Sequence, residues 1–282
     1  MTEPAIAVLP YHLRLSPSVA LSDMLWPLGR PAHCEEGTLG DLGPQDHVIA
    51  HIKTWMHLRA LPLHANVSVL LLEPARIHRL HMLLARVSGR KFYRILASNE
   101  RFLAGQSNGV FLPFGTTWIP QWRDLGNEKT KMCSLIASNK RDLPGQKLRH
   151  EMVGHVVDKQ LDVDVMGRGY APFETKADGL APYRYSVVIE NSQERNYFSE
   201  KVIDAVLCET VPIYWGCPNI ADFLPTDGMI LCDSAQDVRA ALAHMSEADY
   251  AARLPALRAA KEKAAHWGDL YGRAARLISE TL

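Results

Sequence analysis

Two polar clusters flank Tyr197-Phe198 in this 282-residue chain: Glu190-Asn191-Ser192-Gln193-Glu194-Arg195-Asn196 on one side and Ser199-Glu200-Lys201 on the other. The first abruptly ends a β-rich run, Tyr185-Ser186-Val187-Val188-Ile189. The second opens Val202-Ile203-Asp204-Ala205-Val206-Leu207, whose apolar pairs recur four residues apart and predict a helix with Ser199 as its N-cap. Ligands of open α/β sheets bind where a strand's carboxyl end meets a helix N-terminus, and the free N–H groups there suit an anion. Lys201 falls in the first helical turn, where a cation opposes the helix dipole by a few tenths of a kcal/mol. A diphosphate bound by those N–H groups and the ammonium together removes the conflict. The plainer use of Lys201 is a surface pairing with Glu200 or Glu194.

The elements that must position these residues read as two α/β units. In the first half, β-type runs at Ala5 to Tyr11, His47 to Ile52, Val67 to Leu72, Tyr93 to Ala97 and Val110 to Phe114 alternate with helical or turn-rich segments, which argues for a parallel sheet with crossovers. Helices are expected at Ser18 to Leu25 and Ile77 to Val87, the latter entered through Glu73-Pro74. The turn-prone passage Trp122 to Lys131 reads as a linker. Strands then follow at Lys131 to Ala137, Val163 to Met166, Tyr185 to Ile189, Val211 to Trp215 and Met229 to Cys232, with helices at Gly145 to Gln160 and Ser199 to Cys208. The expected domains are residues 1–122, residues 131–250, and C-terminal helices over 251–282 with breaks at Pro255 and Gly268. The basic amphipathic segment Leu257 to Leu277 suits either a membrane surface or packing across the two domains. Ala97-Ser98-Asn99 to Gly105-Gln106 recurs closely as Ala137-Ser138-Asn139 to Gly145-Gln146, as two similarly built strand ends or as coincidence.

Composition bounds the partners. Thirty-one basic and 31 acidic residues cancel, which removes the electrostatic footprint of a general nucleic-acid binder and leaves any anionic ligand to local groups. Five cysteines without CxxC spacing read as free, buried thiols. No window is apolar enough to span a membrane, and the N-terminus lacks the basic region of a secretion signal, so a cytoplasmic protein is expected, peripheral to an inner membrane at most.

The segment Tyr185 to Pro218, with Ile-Glu-Asn-Ser-Gln, Tyr-x-Ser-Glu-Lys and Val-Pro-Ile-Tyr-Trp-Gly-x-Pro in order, resembles the donor-binding signature of the α-1,3/α-1,4-fucosyltransferases, glycosyltransferase family 10. The resemblance extends over Lys131 to Asp233. It implies an α/β protein of the GT-B fold, two Rossmann-like domains whose parallel sheets face an interdomain cleft. It also implies a donor site for GDP-fucose built from Glu190, Asn191, Tyr197, Glu200 and Lys201. Ser138-Asn139 followed by Lys147-Leu148-Arg149 resembles the family's Ser-Asn segment and its later phosphate-binding arginine, which points to Arg149. Leu70-Leu71-Leu72-Glu73-Pro74 resembles the element that carries the family's catalytic base, here Glu73, although the residue between glutamate and proline is missing. Glu73 is equally a common type of helix-start residue.

On this resemblance the chain is an inverting enzyme. A glycan hydroxyl, deprotonated by Glu73, attacks the sugar through an oxocarbenium-like state while Lys201 and Arg149 meet the charge of the departing diphosphate. No metal or other cofactor is expected, although Asp162-Val163-Asp164 and the pair His78 and His81 carry metal-ligand side chains. The other readings are a transferase of the same fold using another nucleotide sugar, and a catalytically silent nucleotide or glycan binder. The expected acceptor is a bacterial surface-glycan precursor.

Overall fold

The computed structural model describes residues 3–126 and 128–282; Met1, Thr2 and Asn127, the last within the passage read as a linker, lie outside the described residues. The chain forms two compact units, one running to Phe114 and taking up Leu270–Leu282, the other Gly115–Asp269.

The first unit is a five-stranded parallel sheet in sequence order: β1 (Ile6–Val8), β2 (His47–His51), β3 (Asn66–Leu71), β4 (Ile95–Ala97) and β5 (Gly109–Phe111). Its helices are α1 (Thr54–Leu58), α2 (Ala75–Ser88) and the short α3 (Glu100–Leu103), and α8 (Leu270–Ser279) returns to it from the far end of the chain. The strands are apolar on both faces because both are covered. Val48, Ala50, Val67, Val69 and Leu71 enter one cluster; Ile49, Leu70 and Leu72, of opposite parity, enter another with Leu270, Ala274, Ala275 and Ile278 of α8. The helix expected over Ser18 to Leu25 is instead a single 3-10 turn at Leu21–Asp23. Its flanks bond elsewhere: Leu21 N–H to the Gly37 carbonyl at 2.9 Å and Leu25 N–H to that of Val8 at 3.0 Å. These tertiary pairings displace the local helical ones.

The second unit holds another parallel sheet, ordered β10-β9-β8-β6-β7, from β6 (Lys131–Ile136), β7 (Val163–Met166), β8 (Tyr183–Ile189), β9 (Val211–Trp215) and β10 (Ile230–Leu231). Its helices are α4 (Pro144–Lys159), α5 (Glu200–Leu207), α6 (Ala235–His244) and α7 (Glu247–Gly268). The chain runs from β6 outward to β7, then crosses back to β8 and continues the other way. The carboxyl ends of β6 and β8 therefore bound the topological switch point, the ordinary ligand crevice of such a sheet. Pro144 opens α4 with the φ a first turn needs, and Gln146 reaches back to accept the Asp142 and Leu143 N–H groups at 2.9 and 3.1 Å. Pro255 does not break the last long helix: α7 runs through it and ends at Gly268. A mid-helix proline costs about 3 kcal/mol, and the buried Tyr250, Leu257, Ala260 and Ala264 on either side hold the helix against that cost.

The apolar residues of the C-terminal segment are thus spent inside the two units. The five cysteines are free and buried. Among the described residues, no helix is long and apolar enough to cross a membrane. The two recurring segments do both leave parallel strands: Asn99 caps α3 by accepting the Phe102 N–H at 2.9 Å, whereas Asn139 precedes a longer loop into α4.

Candidate active site

At the switch point of the second unit lies a cavity of about 660 Å³. Ile136, Ala137 and Ser138 line it from the end of β6, Val187, Ile189 and Asn191 from that of β8, and Glu200 and Lys201 from the start of α5. The side chains of Lys140, Arg149, Arg168 and Lys176 add four further cations to that of Lys201, against the carboxylates of Glu174 and Glu200. A net-neutral chain has concentrated positive charge in one crevice, which suits a ligand carrying two or more negative charges.

The wall is held by backbone. The N–H of Gly145, in the first turn of α4, bonds the Asn191 carbonyl at 3.1 Å, and a β-carbon at Gly145 would run into the Glu190 carbonyl. Opposite, Gly167 has φ +111°, and a β-carbon there would strike the Ala137 carbonyl. With α4 pressed onto the exit of β8, Arg149 donates Nε–H to the Ile189 carbonyl at 3.0 Å and Nη2 to Asn191 Oδ1 at 2.8 Å. Asn191 Nδ2 in turn lies 3.5 Å from the Tyr197 hydroxyl.

Ser199 is the N-cap of α5, its hydroxyl 3.4 Å from the Lys201 N–H. Beneath it Glu190 is fully buried and accepts the Ser199 N–H at 2.9 Å and the Ser199 hydroxyl at 2.7 Å. The Lys201 ammonium donates to Ser199 Oγ at 3.0 Å and to Glu200 at 3.2 Å, and lies 3.5 Å from Glu190. The pairing with Glu200 is therefore present, but in a mostly buried setting, while Glu194 accepts from Ser192. Burial works against the Lys201 charge, yet the carboxylates of Glu200 and Glu190 raise its pKa above the ordinary lysine value. Burial also works against ionised Glu200, and Lys201 and Lys176 nevertheless hold its pKa below the ordinary one. The result is a fixed ammonium in a mostly buried wall, the kind of group that stabilises charge without reorganising.

Of the residues named from sequence, Arg149, Asn191, Glu200 and Lys201 meet in this cavity. Glu190 and Tyr197 lie behind its wall, 0% and 1% exposed. Glu73 belongs to the first unit, between the end of β3 and Pro74, the N-cap of α2. His78 and His81, whose rings stand 5.4 Å apart, are drawn into a histidine cluster in which His81 Nδ1 meets His57 Nε2 at 3.1 Å. Asp164 is ion-paired with Lys131 at 2.7 Å. No group of three or more potential metal ligands occurs among the described residues.

Lys140, Arg168, Glu174 and Lys176 of the lining escaped the sequence reading, as did Asp204. Asp204, fully buried on α5, accepts the Thr117 hydroxyl at 2.6 Å and the Trp118 N–H at 3.1 Å through Oδ1, and burial pushes its pKa up to about 7. Lys176 lines the cavity with its ammonium 5.8 Å from the Trp118 ring, and burial lowers its pKa. The available signal was Asp204 itself, one acid inside an otherwise apolar helical run.

Residues 126–253 match the C-terminal domain of glycosyltransferase family 10 (fucosyltransferase). The chain resembles family 10. Over 53 residues it is 43% identical to α-(1,3)-fucosyltransferase FucT of Helicobacter pylori, covering 18% of this chain and 11% of that protein. It is 31% identical over 196 residues to α-(1,3)-fucosyltransferase 7 of Mus musculus, covering 63% of this chain and 44% of that protein. The chain spans less than half the length of these curated relatives. An α1,3-fucosyltransferase crystallised with GDP superposes with a TM-score of 0.50 at 17% identity, covering 74% of this chain and 68% of the other. The fold is GT-B, and every residue that lines the crevice except Trp118 falls inside the segment that matches the family 10 domain.

Proposed function

We propose that this chain is an inverting glycosyltransferase that moves fucose from GDP-fucose to a glycan hydroxyl. The observation that carries the reading is the convergence of Arg149, Asn191, Glu200 and Lys201 on one cation-rich crevice at the switch point, within the segment matching family 10. The diphosphate would lie against Arg149 and Lys201. Arg149 is held by two hydrogen bonds and Lys201 by three polar partners, so both cations are already in place when charge builds on the departing phosphate. Lys176 extends the same positive wall.

The fixed cations take the part that a divalent ion plays elsewhere, and transfer is expected to persist in chelator. Glu73, after the carboxyl end of β3, is the proposed base that takes the acceptor's proton. The test is release of fucose or its transfer from GDP-fucose by wild type and by Glu73→Gln. The variant should keep its affinity for GDP and lose turnover by about a hundredfold or more; unaltered turnover would remove Glu73 from the role.

A further inference from the structure

Helix α2 of the first unit turns apolar side chains to solvent: Leu80, Leu83 and Val87 are 55%, 48% and 90% exposed, and Ile77 is 43% exposed. Their positions, spaced at three, three and four residues, repeat on one side of the helix, while Ala85 and Ser88 face the interior. Interleaved with them on the exposed side stand Arg76, Arg79 and Arg86. Beside this face, between α2 and α3, runs a groove of about 820 Å³ whose lining includes Arg76, Arg79, Arg86 and Arg101 together with Leu83 and Phe102. No Asp or Glu lines the groove, and none occurs anywhere from Ala75 to Asn99. Among the described residues no carboxylate pairs with any of these four arginines.

In a chain of zero formal charge such a surface needs two things at once: apolar contact and several negative charges. A nucleic acid or an acidic glycan meets the arginines and leaves the leucines and valine in water. A second copy of the helix covers the apolar side chains and sets arginine against arginine. A bilayer of anionic lipid supplies both, with headgroups in the arginine groove and the exposed side chains in the interfacial layer, as amphipathic interfacial helices do.

We propose that α2 is a membrane-docking face, seated on anionic phospholipid through Leu80, Leu83 and Val87 with Arg76, Arg79, Arg86 and Arg101 around the headgroups. The basic C-terminal segment cannot serve this purpose with the same strength, because its apolar residues Leu257, Ala260, Ala264, Leu270, Ala274 and Ile278 are buried. The docking face instead lies on α2, the helix expected over Ile77 to Val87.

Sedimentation of the full chain with vesicles tests this. Vesicles of phosphatidylcholine alone are compared with vesicles in which about a third of the lipid is phosphatidylglycerol. Two triple variants are included, Arg76→Gln/Arg79→Gln/Arg86→Gln and Leu80→Gln/Leu83→Gln/Val87→Gln, with circular dichroism confirming that both keep the fold. Wild type should partition onto the anionic vesicles at least tenfold more strongly than onto neutral ones. Each arginine near the surface is worth about fivefold, so the arginine variant should fall to the neutral-vesicle level, and the apolar variant should also lose most of its binding. Equal partitioning onto the two vesicle types overturns the proposal. So does anionic-vesicle binding that survives the apolar variant unchanged, which would mark the groove as an anion site with no membrane seat.

Discussion

Replacing Glu190 by Gln separates scaffold from ligand in the crevice. The carboxylate is fully buried and holds three partners: the Ser199 N–H at 2.9 Å, the Ser199 hydroxyl at 2.7 Å and the Lys201 ammonium at 3.5 Å. Hydrogen bonds to a buried charged acceptor contribute about 1.5–3 kcal/mol each, and a donor left unmatched costs about 1–3 kcal/mol. A glutamine oxygen still accepts the Ser199 N–H, while its NH₂ group faces the serine oxygen and the ammonium. The hydroxyl can reverse to accept, and the ammonium keeps Glu200. The net loss is about 1–2 kcal/mol for Glu190→Gln, rising to about 3–5 kcal/mol for Glu190→Ala, which takes the acceptor from both the Ser199 N–H and the Ser199 hydroxyl. Urea denaturation followed by circular dichroism reads the stability, and calorimetry with GDP reads the affinity. The structure predicts a lowered midpoint with GDP affinity changed by less than about threefold. Wild-type stability together with a loss of more than tenfold in affinity would refute the reasoning and make Glu190 a direct ligand.

Further consequences concern pH and packing. With a folded pKa of about 7, above its ordinary 3.8, Asp204 favours the folded state at low pH and loses that contribution as pH rises toward 7. The stability of wild type relative to Asp204→Asn should therefore decline between pH 4 and 7, by at most about 4 kcal/mol, and a flat difference in paired denaturation curves would contradict the burial argument. His51 and His78 run the other way: burial holds both near 4, so their neutral forms favour folding above pH 6.5 and that stability is lost as pH falls toward 4. Imidazole NMR should show neither ring titrating above pH 5; titration near 6.5 would show that water reaches them. Gly145→Ala forces a β-carbon against the Glu190 carbonyl and should cost about 1–3 kcal/mol with weakened GDP binding, measured as a melting shift and by calorimetry; wild-type behaviour would mean that α4 can move off the strand.

Much of the scaffold was readable because both sheets are parallel and covered on both sides, which writes each strand as a short apolar run between polar turns. Val163 to Met166 and Val211 to Trp215 coincide with the observed strands, and the helix after Ser199 follows from apolar spacing and one cap. What was not readable depends on partners distant in the chain. Leu21 and Leu25 leave helix for bonds to Gly37 and Val8, and Pro255 stays in helix because its neighbours are packed. In the crevice, Arg149, Asn191, Glu200 and Lys201 are legible as charged or polar groups at element ends, whereas Lys176 and Asp204 gain their place only when Trp118 and Thr117 fold against them. Glu190 looked like a ligand by its position in a polar loop. Its carboxylate turns inward to the cap of α5, a direction that sequence does not encode.

The central claim is that Arg149 and Lys201 bind a nucleotide diphosphate, and calorimetric titration with GDP measures it most directly. Wild type should bind GDP and GDP-fucose, with guanosine much weaker. Lys201→Met and Arg149→Gln should each lower GDP affinity by about tenfold to a hundredfold, as expected for a charge-assisted contact of about 1.5–3 kcal/mol, while melting cooperatively as wild type does. Unchanged GDP affinity in both folded variants would contradict the account.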